Sequence, residues 1–206
     1  MTKIAIFDFG AGNIFNLHQS LLSNGAQYVD VIRSLKELEN YDGLVLPGVG
    51  NFDAAIGSMQ KDSALLNAAV DKGMPILGIC LGLEMLFDKS EEGVLEGLKV
   101  LDGNVLMLPK TKVKVPHIGW NNLRIVNNES NLLKDIPQDS WVYFVHSYHI
   151  EPQDEKLIAA ITDYGSILPV VVERSNLFGT QFHPEKSGKI GAQIMKNFVN
   201  ICEENE

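Results

Sequence analysis

Over the first ninety residues, short and nearly unbroken apolar runs alternate with stretches of helical spacing. Residues 3–9 (KIAIFDF) end at Gly10 and read as a buried parallel strand. Residues 13–24 place Ile14, Leu17, Leu21 and Leu22 on one helical face, stopped by Asn24 and Gly25. Residues 28–32 and 43–46 are two further strands, the second running into Pro47-Gly48-Val49-Gly50. Asn51 and Asp53 are placed to cap a helix carrying Ala54, Ala55, Ile56 and Met59. Residues 63–72 give another helix, 75–79 (PILGI) a strand, and 81–89 a helix again. Such alternation implies right-handed crossovers and a parallel sheet covered on both faces.

The second half has a different texture. Residues 98–108, 113–126, 141–150, 157–163 and 169–182 are mostly strand-like, with turn residues between them. Residues 191–201 form a closing amphipathic helix, followed by an acidic tail, 203–206, expected to fray. The expected fold is α/β, with three layers: a mostly parallel central sheet, helices on both faces, and an added antiparallel section. No repeat or linker interrupts it, so residues 1–206 read as one domain.

Charge narrows the partners. The formal charge is -9 and the sequence pI is near 5.0, a field that repels phosphate backbones and anionic membranes. Neither nucleic acid nor membrane is expected as a partner. The 2 cysteines, Cys80 and Cys202, are too few for a disulfide framework or a four-cysteine zinc site. There is no run of 18 apolar residues, and MTKIAIFDFG leads straight into a strand, so a reducing cytoplasm is the expected setting.

Three segments could carry chemistry. In Gly78-Ile79-Cys80-Leu81-Gly82 a cysteine sits where a buried strand meets a helix. Such a turn strains the backbone, and glycines two residues either side remove clashes. A helix N-terminus favours thiolate over thiol, and the Leu81 N–H is placed to serve an oxyanion. A buried packing cysteine would show the same residues. In Phe182-His183-Pro184-Glu185, proline pushes His183 into an extended conformation. Glu185, two residues on, then reaches the ring nitrogen that a cysteine would not use. Pro47-Gly48-Val49-Gly50 offers a second oxyanion donor, Val49 or Gly50, or simply a strand-to-helix turn.

Other signals carry less. Gly10-Ala11-Gly12 follows a strand, but Phe15 breaks the dinucleotide fingerprint. His146 and His149 lie three apart in a strand-like run and so point to opposite faces, against a metal site. No metal and no cofactor are expected. Cys202 reads as packing.

The elbow GICLG, the loop PGVG and the terminal FHPE together resemble class I, triad-type glutamine amidotransferases. DFGAGNIFNL, VPHIGWN, YFVHSY and GTQFHPEKSG narrow the resemblance to the glutaminase subunits of imidazole glycerol phosphate synthases, over most of the chain. The resemblance implies that Cys80 attacks the glutamine carboxamide, His183 moves the proton and Glu185 orients His183. It implies oxyanion donors at Leu81 and at Val49 or Gly50, the substrate α-ammonium on Glu92, and a pocket lined by Gly48, Gly50, His146, Ser147 and Tyr148. It further implies a heterodimer with a cyclase (β/α)8-barrel synthase subunit, met through Asn13, Asn16, Trp120, Tyr143 and Lys186. The barrel takes the ammonia and makes imidazole glycerol phosphate and aminoimidazole carboxamide ribotide. Such glutaminases are nearly silent until the synthase site is filled.

One position departs. Where the family usually carries glutamine, four residues past the cysteine, this chain has Glu84. One turn beyond the nucleophile it should face the substrate, and a carboxylate there cannot donate as an amide does. Glutaminases of the vitamin B6, anthranilate and guanylate pathways would share the triad, as would a cysteine peptidase built on the same elbow.

Overall fold

The computed structural model describes residues 1–10 and 13–205. Its main sheet has nine strands. β1 (Lys3–Phe7), β2 (Tyr28–Ile32), β3 (Gly43–Leu46), β4 (Ile76–Ile79) and β12 (Leu177–Thr180) are joined by parallel pairings. β11 (Ile167–Arg174), β10 (Ile158–Asp163), β7 (His117–Ile125) and β8 (Ser140–His146) continue the sheet antiparallel. The spatial order is β2-β1-β3-β4-β12-β11-β10-β7-β8. A second sheet of three strands joins β5 (Lys89–Ser90), β6 (Gly103–Met107) and β9 (Tyr148–Pro152).

Alternation along β1 shows how the layers form. Ile4 and Ile6 pack under α1 (Ile14–Ser23) and α5 (Gly188–Glu204), through Leu17, Leu21, Ile194 and Phe198. Ala5 and Phe7 point the other way, against Phe52, Ile56 and Met59 of α2 (Phe52–Met59) and Leu66 of α3 (Ser63–Asp71). Period-2 strands thereby bury both faces, which is why their sequences read as continuous apolar runs. The fold class expected from sequence is the one seen, with the antiparallel section as extensive as the parallel one.

Several local expectations are corrected. Helical character after the elbow stops early: α4 spans Leu81–Met85, because the next residues turn out to meet β6. Asn51 caps α2 by accepting from Ala54 N–H at 3.2 Å, whereas Asp53 accepts from the N–H groups of Val94 and Leu95. The run 141–150 is broken at Ser147 into β8 and β9, and 169–182 is broken after Arg174 into β11 and β12. Of 98–108 only Gly103–Met107 is strand. The closing helix is longer than expected and includes Glu203 and Glu204. Ala11 and Gly12 of the Gly10-Ala11-Gly12 turn lie outside the described residues.

β3, β4 and α4 touch backbone to backbone at glycines. A Cβ on Gly82 would lie 2.0 Å from the Leu46 carbonyl oxygen, and one on Gly48 2.1 Å from that of Ile79. Gly82→Ala is therefore expected to lose about 1–3 kcal/mol in urea unfolding, the cost of overpacking. Gly57, inside α2 with open space around it, gives the opposite sign: Gly57→Ala should gain about 0.5–1 kcal/mol in the same assay.

Candidate active site

The buried strand β4 ends at Cys80, whose φ of 51° and ψ of -107° are a conformation side chains rarely adopt. Neighbouring glycines make it tolerable. A Cβ on Gly78 would lie 2.7 Å from the Gly82 carbonyl oxygen, so bulk at either site would open the turn. The backbone is tied on both sides: Cys80 N–H donates to Thr180 O at 2.7 Å, and Glu84 N–H to Cys80 O at 3.0 Å. The sulfur lies 3.8 Å from Val145 O and 3.8 Å from Gln181 Nε2.

β12 runs parallel beside β4, with Thr180 opposite Ile79, so the chain leaving β12 emerges next to the elbow. His183 follows three residues later, extended at φ -99° and ψ 101° before Pro184. Its Nδ1 is 2.9 Å from Glu185 Oε1. The expected reach is there, although by another geometry: Pro184–Lys186 is a 3-10 turn, not a continuation of the strand. A carboxylate only accepts, so Nδ1 carries the proton and Nε2 is left with its lone pair. Nε2 is buried and has no hydrogen-bond partner among the described residues. The imidazole backbone is also held: His183 N–H donates to Tyr143 O, and the Ser187 hydroxyl donates to His183 O.

Cys80 opens on a cavity of about 310 Å³. Gly48, Val49, Gly50, Leu81, Glu84, Glu92, His146, Ser147 and Tyr148 line it. Both nitrogens of His146 are already used, however. Nδ1 lies 2.7 Å from Tyr148 O and Nε2 3.0 Å from His117 Nδ1. The carbonyl forces a proton onto His146 Nδ1, so His146 Nε2 accepts from His117. His146 thus shapes the wall and keeps no free polar atom for a ligand. His117 also stacks on Tyr164 at 3.8 Å between ring centroids. The His117 contact was not foreseen, because 29 residues separate the two histidines.

A smaller recess on the other side of Gly48 and Val49 brings Asn13 and Lys186 together with His183 and Glu185. Asn13 caps α1 by accepting from Asn16 N–H, which leaves both side chains at the surface. Trp120 and Tyr143 form a separate pair across β7 and β8, with ring centroids 5.9 Å apart.

The electrostatics correct one expectation. Burial, then the nearby Glu84, push the Cys80 thiol up, against smaller downward effects of the Leu81 N–H and Gln181. The resting sulfur is a thiol, not the thiolate that a helix N-terminus alone would favour; five residues of helix are outweighed by desolvation. Glu84 is itself pushed up to about 8, by burial and by Glu92, with Gln181 opposing. Glu92, which accepts from Phe52 N–H at 3.2 Å, is raised by burial. Gln181, fully buried with Nε2 donating to Glu84 Oε1 at 2.9 Å, was overlooked as a site residue. Its place two residues before His183 on an extended chain was the available signal.

The family model for class-I glutamine amidotransferases matches residues 5–202, and the chain belongs to that family. An imidazole glycerol phosphate synthase subunit HisH from Geobacillus thermodenitrificans (strain NG80-2) is 43% identical over 209 residues, covering 98% of this chain and 97% of that protein. The subunit of the same name from Synechococcus sp. (strain JA-3-3Ab) is 42% identical over 203 residues, covering 97% and 94%. In fold alone, PurLQS from Thermotoga maritima superposes with a TM-score of 0.74 at 17% identity, covering 98% of each chain. Among the described residues, no helix is long and apolar enough to cross a membrane.

The histidine pair predicts an acid sensitivity. Burial holds His117 at about 4 and His146 at about 3, below the ordinary 6.5. Depressed folded values mean that their contribution is complete above pH 6.5 and is lost as pH falls through 4 and then 3. Urea midpoints should fall over that window. At pH 7, His117→Ala should cost about 1–3 kcal/mol by leaving His146 Nε2 buried without a donor.

Proposed function

We propose that Cys80, His183 and Glu185 hydrolyse the side-chain amide of glutamine, and that the ammonia passes to a cyclase-barrel synthase subunit. By family the chain is an enzyme, the glutaminase subunit of imidazole glycerol phosphate synthase. One observation carries the residue assignment. An imidazole fixed by a carboxylate, with a bare Nε2, emerges from the strand next to the one that ends at the strained cysteine.

The chemistry follows from those groups. As the Cys80 sulfur attacks the carboxamide carbon, its proton moves to His183 Nε2, and Glu185 stabilises the resulting imidazolium. The carbonyl oxygen becomes an oxyanion for the N–H groups of Leu81 and of Val49 or Gly50. His183 then protonates the departing nitrogen, the C–N bond breaks, and ammonia leaves a γ-glutamyl thioester. Water, deprotonated by the same nitrogen, attacks the thioester and releases glutamate and the thiol. Glu92 takes the substrate α-ammonium, while Gly48, Ser147 and Tyr148 frame the rest. A protonated, buried sulfur with no hydrogen bond to Nε2 among the described residues supports a slow free subunit that waits for its partner.

The proposed docking face joins Asn13 and Lys186 at the small recess, with Asn16 beside them on α1, to Trp120 and Tyr143. Phe15, Ile118, Trp120 and Trp141 are all at least half exposed, more apolar surface than a lone subunit needs. Residues 1–206 act as one amidotransferase domain, in the cytoplasm, as one half of a heterodimer.

Cys80→Ala should abolish glutamine-dependent product while the barrel is still bound and still uses ammonium salts. Glutamine-dependent turnover surviving in that variant would remove Cys80 from the mechanism. Glu185→Gln should lower kcat on the order of 10²–10⁴-fold by releasing the imidazole tautomer, again with ammonium-dependent synthesis intact. Pull-down against the barrel and against other synthases separates this reading from the sister glutaminases.

A further inference from the structure

Glu84 sits one helical turn after Cys80, is 4% exposed and lines the cavity. Among the described residues its one hydrogen bond to a side chain is the 2.9 Å contact from Gln181 Nε2 to Oε1. Among the described residues no lysine or arginine pairs with it. The cavity lining contains no lysine or arginine either, and Glu92 is its other carboxyl group. A carboxylate so placed would be a buried charge without a counterion, a costly state.

We propose that Glu84 rests as a neutral acid and surrenders its proton when the α-ammonium of glutamine docks beside it and Glu92, so that substrate binding expels a proton. This rests on the glutamine reading above and refines it. The balance is simple. The buried carboxylic acid loses H⁺ to solvent, and the carboxylate left behind pairs with the incoming cation, whose own protons stay in place. Gln181 N–H, already on Oε1, serves the ionised form better than the neutral one. Where the family resemblance leads one to expect glutamine, a side chain with no proton to lose, this chain has made affinity a function of pH.

Other titratable groups face the same space and have to be separated from Glu84. They are Cys80 on the elbow, Glu92 on the loop after β5, and Tyr148 and His146 in the same lining, while His183 and Glu185 line the neighbouring recess across Gly48 and Val49. The Glu84 value of about 8 agrees with a proton held at neutral pH. If the cation returns it to the ordinary carboxylate range, ~0.9 proton leaves per glutamine at pH 7.

The test is calorimetric titration of glutamine into the full chain carrying Cys80→Ala, free and with the barrel subunit, in two buffers of different ionisation heat. Net release near one proton at pH 7, and affinity tightening about tenfold from pH 6 to pH 7, are expected. Adding Glu84→Gln should remove the release and flatten the pH dependence. Glutaramate, which is glutamine without its α-amino group, should bind without release to Cys80→Ala alone, a comparison that needs no second substitution. Glutamine binding with no proton released, or with the same release after Glu84→Gln, would overturn the inference and leave the glutaminase reading standing. Failure of glutamine to bind in any form would sink that reading as well.

Discussion

Everything chemical here depends on three backbone segments being allowed to touch. The end of β3, the end of β4 and the first turn of α4 meet where Gly48, Gly78 and Gly82 put hydrogen in place of a methyl group. Without that contact the positive φ at Cys80 would relax and the sulfur would sink back toward the sheet. Strain of this kind costs on the order of 1–3 kcal/mol and persists only where its surroundings over-determine it. Buried strands on either side of β4, and the hydrogen bond from Cys80 N–H to Thr180, supply that determination.

How far the sequence could be read follows from the range of each cause. The first four parallel strands and the elbow were legible because apolar runs, punctuating glycines and caps are local signals. His183 and Glu185 were legible for the same reason, two residues apart around a proline. The breaks at Ser147 and after Arg174 were hidden, since an apolar run says nothing of where a strand changes partners. Asp53 reads as a cap and instead secures the 94–95 loop, 41 residues away. The His117–His146 bond was out of reach for the same reason, its partners being set by strand register, and so was the Glu84–Gln181 bond, which joins a helix to a chain segment 97 residues away. Electrostatics was the hardest to read. A cysteine at a helix N-terminus suggests a thiolate, and only burial, seen in three dimensions, reverses the sign.

The pocket gathers ionisable groups and withholds the charges that would settle them. A thiol, a carboxyl held up by burial and an imidazole kept neutral share one low-dielectric wall, with no basic side chain in the lining among the described residues. Each is costly to charge alone, and a zwitterionic ligand changes the cost for all of them together.

Tyr143 gives the antiparallel half a grip on the histidine. Its carbonyl takes the His183 N–H, its own N–H donates to the Ser187 hydroxyl, and that hydroxyl donates to the His183 carbonyl. Three hydrogen bonds close a ring through the main chain of β8. The imidazole is in effect splinted to an outer strand that also carries the exposed Trp141, while the Cys80 backbone is tied to β12. His183 is therefore tied to β8 as well as to β12, and any slight sliding of β8 against β4 changes its position relative to the Cys80 sulfur.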